Sequence, residues 1–323
     1  MSVLGNTFLT YGAVGNREDL ADIIYEISPE DTPFMSSIGR ATATATLFEW
    51  QTDALAAPNP ANAYLQGDDI TTFDAVNPTV RVGNRTQISR KTAIVSGTQE
   101  VVDKAGKGSE IAYQMTKKSK ELKRDMETIL IGNPQGAVTG TSAVPPQTAS
   151  MLAWVKTNVD FGVGGVNPTW ASGAPPLPRT DGTARTFTET ILKNVLGLVW
   201  TNSGQQPSLL LVGPHNKGVV SGFAGIATRM RDVGSKQKAE IIGAADLYVG
   251  DFSTVSVVAD RFQRERDAWV INPKMAAVAY LRPFQTEPLA KTGDAQKRLI
   301  LVEYGLKVNA ESAFGLAADL TTT

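Results

Sequence analysis

An α+β fold that leans on other protein is what this sequence predicts. Three observations lead there. Helical and strand patterns follow one another without regular alternation. A short amphipathic helix near the start has little of its own to pack on, and a long turn-rich stretch follows the first strand pattern. The short helix lies within Arg17 to Gly39. Leu20, Ile23, Ile24 and Ile27 fall at i, i+3, i+4 and i+7 and form one apolar stripe. Asn16 is placed to cap it, with Glu18 and Asp19 in the positive first turn. Ser28-Pro29 ends it, and Pro33 repeats the stop before Phe34. A helix of about ten residues is marginal in water, so the stripe is expected to lie on other protein.

Downstream, residues 41–53 alternate in part, with Thr44, Thr46, Phe48, Trp50 and Thr52 on one side of a strand. Ala54 to about Ser89 is rich in Asn, Pro, Gly, Asp and Thr, with β-prone runs at Thr79–Val82 and Thr86–Ser89. Such a length without helical period is long for a connection, and a projecting β-hairpin fits it better than a floppy loop. Ser109 to Ile131 is the clearest helix, roughly 35 Å long. Ile111, Met115, Leu122, Met126 and Ile129 share one sector, while Lys117, Lys120 and Arg124 lie opposite, flanked by Glu110, Glu121 and Glu127. That charged side reads as a solvated face or as one that pairs with a neighbouring subunit.

Residues 133–180 read as an irregular insertion with little regular structure beyond Met151–Val155. Thr186-x-x-Glu189 forms a capping box before a helix with a Phe187, Ile191, Val195 and Val199 seam, and Gly204 follows its end. Leu209–Val212 is a continuous apolar run, as for a strand buried on both faces. Val255–Val258 and Trp269–Ile271 are further strands, and Asn272-Pro273 turns into Met275–Leu281. Ile300, Val302, Tyr304, Leu306 and Val308 alternate with Glu303 and Lys307 in a last strand.

Composition narrows the function. Apolar content of 42% and charged content of 20% over 323 residues describe a folded chain with room for two modest domains. With 31 basic and 32 acidic residues, tight nucleic-acid binding lacks its usual basic balance. There is no cysteine, hence no disulfide or thiolate chemistry. No run is apolar enough to span a membrane and no secretory pattern is present, so the expected compartment is the cytoplasm. His215, the single histidine, follows a buried-strand pattern but has no companion nucleophile motif, so a structural role is expected. Gly106-Lys107-Gly108-Ser109 lacks the upstream glycine of a phosphate loop, because Val101 stands there, and Ser109 is better used as the cap of the helix that follows. Gly162, Gly164 and Gly165 sit in a Pro-rich stretch rather than between strand and helix, and Asn84-Arg85-Thr86 is a chance sequon. Glu30-Asp31 and Asp68-Asp69 read as surface pairs rather than cation sites. No catalytic, cofactor-binding or metal residue is expected.

The order of short helix, Ser28-Pro-x-x-Thr-Pro-Phe34 and Ser36-x-x-Gly39 resembles the start of tailed-bacteriophage major capsid proteins, and the similarity runs through nearly the whole chain. Their fold is the Hong Kong 97-type capsid fold. The resemblance implies an N-terminal arm (1–52), an extended loop (53–92), a peripheral domain (93–185) with a spine helix (about 109–131) and an insertion (about 133–180), an axial domain (186–262) and closing peripheral strands (263–323). It implies a major head protein assembling as hexamers and pentamers into an icosahedral virion shell around double-stranded DNA, without sequence-specific binding. Assembly in the host bacterial cytoplasm follows, with no membrane or cofactor and with scaffolding, portal and decoration proteins as partners. Under it, Leu20, Ile23, Ile24, Ile27 and Phe34 of the arm are subunit contacts, as are Trp50, Phe73, Arg81 and Arg85 of the loop. Trp50 fits the chain's own core equally well. Lys117, Lys120 and Arg124 would form an inner-wall face.

The founding phage of the fold joins a loop lysine to a neighbour's asparagine. No lysine precedes Lys91 at the loop's end, and up to there its basic residues are only Arg81, Arg85 and Arg90, so that bond is not expected. The arm begins within about sixteen residues of Met1, so scaffolding is expected from a separate protein. A tail or decoration protein, or an enzyme using the Leu209–His215 region, are the alternatives left open.

Overall fold

The computed structural model describes residues 32–67, 69–70, 73–102, 108–170, 176–223 and 246–323. The stripe Leu20, Ile23, Ile24 and Ile27 lies outside them. In chain order the elements are α1 (Pro33–Ser37), β1 (Gly39–Thr42), β2 (Leu47–Thr52), β3 (Val80–Arg85), β4 (Gln87–Ser96), α2 (Gly97–Val101), α3 (Glu110–Glu127), β5 (Val159–Asp160) and α4 (Glu189–Ser203). There follow β6 (Leu209–Val212), α5 (Pro214–Ser221), β7 (Leu247–Val249), β8 (Thr254–Ala259), β9 (Ala268–Ile271), β10 (Ala276–Pro288), β11 (Ala295–Val308) and β12 (Gly315–Ala317).

Two sheets organise them. One runs β1-β10-β11-β4, the other β5-β12-β9-β6-β8-β7, and β2 pairs β3 separately. In the first, β11 lies antiparallel between β10 and β4, from Ser96↔Ala295 to Gln87↔Tyr304 on the β4 side. Strand alternation points Ala93 and Val95 of β4 at α3, where they bury Ile111 beside half-buried Met115. The long helix is held at its start as the sequence suggests. Ser109 Oγ accepts from Ala112 N (3.3 Å), and the Glu100 carboxylate of α2 accepts from the Glu110 and Ile111 amides (3.1 Å each). Its expected end at Ile131 is not reached as α-helix, because Thr128–Gly132 widen into a π turn. Leu130 and Ile131, adjacent in sequence, are both fully buried there.

In the second sheet β6 and β9 are buried throughout, in keeping with the continuous apolar run of Leu209–Val212. Helix α4 covers it through Val195 and Val199. Gly315 of β12 permits that approach, since a Cβ there would sit 2.4 Å from Val195 Cγ1. The capping box at Thr186 is not formed. Thr188 is the cap, accepting from Ile191 N at 3.4 Å, and Glu189 pairs with Lys193 instead. Gly204 ends α4 in the left-handed region, φ 64°.

Three further expectations change. Thr44 and Thr46 precede β2 rather than share it. The last strand does not alternate around Glu303, because Val302 to Leu306 are all buried; Glu303 accepts from Thr86 Oγ1 (2.9 Å) and Arg282 Nε (2.7 Å). The six-stranded sheet also gathers β5, β9 and β12 from segments that the sequence assigned to the peripheral part. The insertion, about 133–180, is irregular but packed, with Met151–Val155 in the same core cluster as Trp269 and Tyr304.

Candidate assembly surfaces

The extended segment is where apolar side chains and solvent meet. The β2–β3 ladder closes at Thr52↔Val80, and no described residue of 53–79 belongs to a strand. A hairpin paired along its whole length is therefore not what forms. Only the base is paired; beyond it Leu55, Tyr64, Leu65, Phe73 and Val76 are each at least 79% exposed. Scattered exposed apolar residues are ordinary, but a ribbon of them with no core of its own marks an interaction surface.

The arm leaves the body at a buried anchor. Phe34 is fully buried in the chain's own core, so it is not an arm contact waiting for a neighbour. Glu127, at the end of α3, is equally buried. Its carboxylate accepts from the amides of Phe34 (2.6 Å) and Met35 (2.9 Å), capping α1 after Pro33. An acid in a helix's last turn opposes the helix dipole, and that mismatch is the sequence signal for a tertiary partner.

Trp50 also belongs to the chain's own fold. It is half-buried, 5.4 Å from Trp154 and 5.9 Å from Phe48, and Trp154 in turn lies 5.7 Å from Trp170. The insertion supplies Trp154 and Trp170, which is why Trp50 turns inward. Arg81 reaches Glu49 across the ladder at 3.2 Å, with its side chain 62% exposed, an ion pair worth little by itself. Arg85 ends β3 half-buried, and Phe73 is 89% exposed. On α3, Lys117 is exposed and Lys120 half-buried, but Arg124 stacks its guanidinium over Phe262 at 5.1 Å. The three do not make one free charged face.

A buried ion network that the sequence does not announce ties the insertion to the six-stranded sheet. Arg179 is buried and donates to Asp319 (2.8 Å) and Asp181 (3.2 Å), with Asp267 at 3.7 Å. Arg266 reaches Asp319 at 2.9 Å, and Arg264 lies 3.6 Å from Asp267. Asp319, held at φ 59°, also accepts from Gly162 N at 3.1 Å. Burial would raise its carboxyl, but hydrogen bonds from Arg179 and the Gly182 and Gly162 amides prevail and hold it below the ordinary range. Asp267 is the opposite case. Burial pushes it up to about 6 against the pull of Arg264 and Arg179, and neither of its oxygens accepts a hydrogen bond from a described residue.

An acid whose folded pKa is raised costs stability once it must ionise, so this cost grows as pH climbs from about 4 through 6. Replacing Asp267 by Asn should stabilise unassembled subunits at pH 7.5 by roughly 1–3 kcal/mol, at 1.36 kcal/mol per pKa unit. The gain should shrink toward pH 5 and vanish near pH 4. Urea unfolding of both proteins across that range measures it.

His215 sits half-buried in the first turn of α5 and makes no hydrogen bond with a described residue. Gly162 packs under Thr183 and Asp319 rather than opening a nucleotide loop. Glu30, Asp31, Asp68, Gly106 and Lys107 lie outside the described residues. Among those described, no group of three or more His, Asp or Glu side chains is placed to hold a metal, and no helix is long and apolar enough to cross a membrane.

A long helix on a four-stranded sheet, a second six-stranded sheet and a bare extended loop make up the Hong Kong 97-type fold of shell-forming proteins. The capsid asymmetric unit of cyanophage A-1(L) superposes with a TM-score of 0.63 over 95% of this chain and 98% of that one, at 12% identity. That of cyanophage Pam1 gives 0.61 over 98% and 99%, at 11% identity. At such identity the likeness concerns the fold alone. The chain belongs to the SU10 major capsid protein family, whose model matches residues 5–321. The major capsid protein of Escherichia phage Phieco32 is 42% identical over 124 residues, 38% of this chain and 35% of that relative, so the match spans about a third of the relative's length. The family is one of structural proteins, not enzymes.

Proposed function

We propose that this chain is the shell-building subunit of a phage head, assembling as hexamers and pentamers around double-stranded DNA through non-covalent contacts. The observation that carries the reading is the 53–79 ribbon, whose apolar side chains find no partner within the described residues. On this reading the four-stranded sheet with α3 is the peripheral domain and the six-stranded sheet with α4 and α5 the axial one. The arm stripe Leu20, Ile23, Ile24 and Ile27 serves a neighbouring copy, and each contact is weak but repeated around the shell. The site of assembly is the host cytoplasm, with portal and scaffolding supplied by separate proteins.

Expression of the chain, alone or with the head genes of its phage, should give closed shells in negative stain. Tubes would instead favour a tail component, and a monomer under every condition would overturn the proposal. Purified shells boiled in detergent should run as one band near the chain mass of 34.4 kDa. A covalent ladder would contradict the non-covalent assembly expected from a loop with no lysine before Lys91.

A further inference from the structure

A cavity of about 370 Å³ opens at the root of the extended loop, at the small end of the range that ligand sites occupy. Both legs of the loop line it, through Asp53 to Leu55 and through Asn77-Pro78, just past the last rung of the β2–β3 ladder at Thr52↔Val80. Trp154 and Trp170 of the insertion line it as well, with Val82 and Val308 between the polar groups. The cavity is thus mostly apolar and partly aromatic.

Two features select what fits there. The first is an indole N–H in need of an acceptor. Trp154 is 2% exposed, and its Nε1 is buried without a hydrogen bond to any described residue. Trp170 differs, since its Nε1 donates to the Trp154 carbonyl at 2.7 Å. A buried tryptophan ordinarily gives its N–H to a partner, because an unmet donor costs its full desolvation. The second feature is charge. Asp53 and Glu311 line the cavity, and no lysine, arginine or histidine does. Glu311 spends its oxygens on the amides of Lys156 (3.2 Å) and Thr157 (3.3 Å) and on the Thr157 hydroxyl. Asp53 is exposed and uses one oxygen on the Ala54 amide at 2.9 Å, which leaves the other open to a donor.

We propose that this cavity is a binding site for a small uncharged aromatic amide. The ring lies against Trp154 and Trp170, where offset or edge-on aromatic contact adds to the burial of apolar area. The carbonyl oxygen accepts from Trp154 Nε1, and the amide N–H₂ donates to Asp53. A carboxylate on the same ring meets two like charges and is turned away. An aromatic amine without a carbonyl leaves the indole N–H unmet. The amide touches both legs of the loop and the insertion at once, so it ties the loop root to the body. The site belongs to the single subunit and stands whether or not shells form.

Benzamide titrated into unassembled wild-type subunits tests it. The chain has five tryptophans, so heteronuclear NMR resolves few indole N–H signals and the Trp154 one can be assigned. Benzamide should shift that signal to saturation, and benzoate at the same concentration should leave it in place. Trp154→Phe keeps a ring but loses the donor, and should weaken benzamide, followed at the Trp170 signal, by about two- to tenfold, the worth of one hydrogen bond. Trp154 is buried, so the exposed Asp53→Asn provides a variant that keeps the fold. It removes one of the two like charges and should raise the response of Trp154 to benzoate relative to benzamide. No saturable shift at Trp154, shifts confined to Trp200 or Trp269, or equal responses of the wild type to benzamide and benzoate would each overturn the site. An unchanged benzoate response in Asp53→Asn would overturn the role given to Asp53.

Discussion

Subunits carrying Leu65→Asp and Phe73→Asp together fold normally and form no shells. The two side chains are 82% and 89% exposed in the single chain, so their replacement changes subunit stability by no more than about 0.5 kcal/mol each. In a shell the same atoms leave water. Burying a large apolar side chain contributes roughly 1.5–3 kcal/mol, and an aspartate in its place must instead be desolvated without a partner. Several kcal/mol are therefore lost at every copy, and a structure held by many weak repeated contacts cannot absorb that. Urea unfolding midpoints should coincide with wild type, while sucrose gradients and negative stain show free subunits only. Shells of normal yield from the double variant would mean that the ribbon is ornamental, and the functional reading would lose its main support.

The sequence made some elements legible and hid others, and the division follows range. Local rules set Ser109 as a helix cap, Gly204 as a left-handed stop and Leu209–Val212 as a buried strand; each depends on neighbours within a turn or on one apolar run. What failed was long-range. The resemblance makes Phe34 a subunit contact and leaves Trp50 open between a neighbour and the chain's own core, because nothing near either in sequence shows its partner. The partners are Trp154, about a hundred residues downstream, and the core closed by Glu127. The capping box at Thr186 lost to Thr188 because Glu189 is drawn to Lys193 and Tyr248, the latter on another element. The loop was legible as a projecting element but not as an unpaired one, since β-prone residues promise strands that here find no partner beyond Thr52 and Val80. Of the surface candidates, Phe73 and Lys117 stand exposed, whereas Arg124 is spent on Phe262.

Replacing Arg179 by Met should cost subunits about 3–5 kcal/mol, the range for breaking a buried ion pair from one side. The guanidinium is fully buried, is the cation closest to Asp319 at 2.8 Å, and also reaches Asp181 at 3.2 Å. Methionine matches its bulk but leaves Asp319 with Arg266 and the Gly162 and Gly182 amides, and leaves Asp267 with Arg264 alone. Asp267 already resists ionisation, so losing a second cation should push its carboxyl higher still. The network joins three distant segments, 179–181, 264–267 and 319, and its loss should free the insertion before the sheets unfold. A large drop in urea midpoint at pH 7.5, together with early proteolytic cleavage within residues 133–185, is the expected result. Adding Asp267→Asn to Arg179→Met should recover part of the loss, because it removes the charge left without its partner, and the two effects should then be clearly non-additive. A cost below about 1 kcal/mol for Arg179→Met, or strict additivity in the double variant, would show that the network is decoration on a fold held by its apolar core.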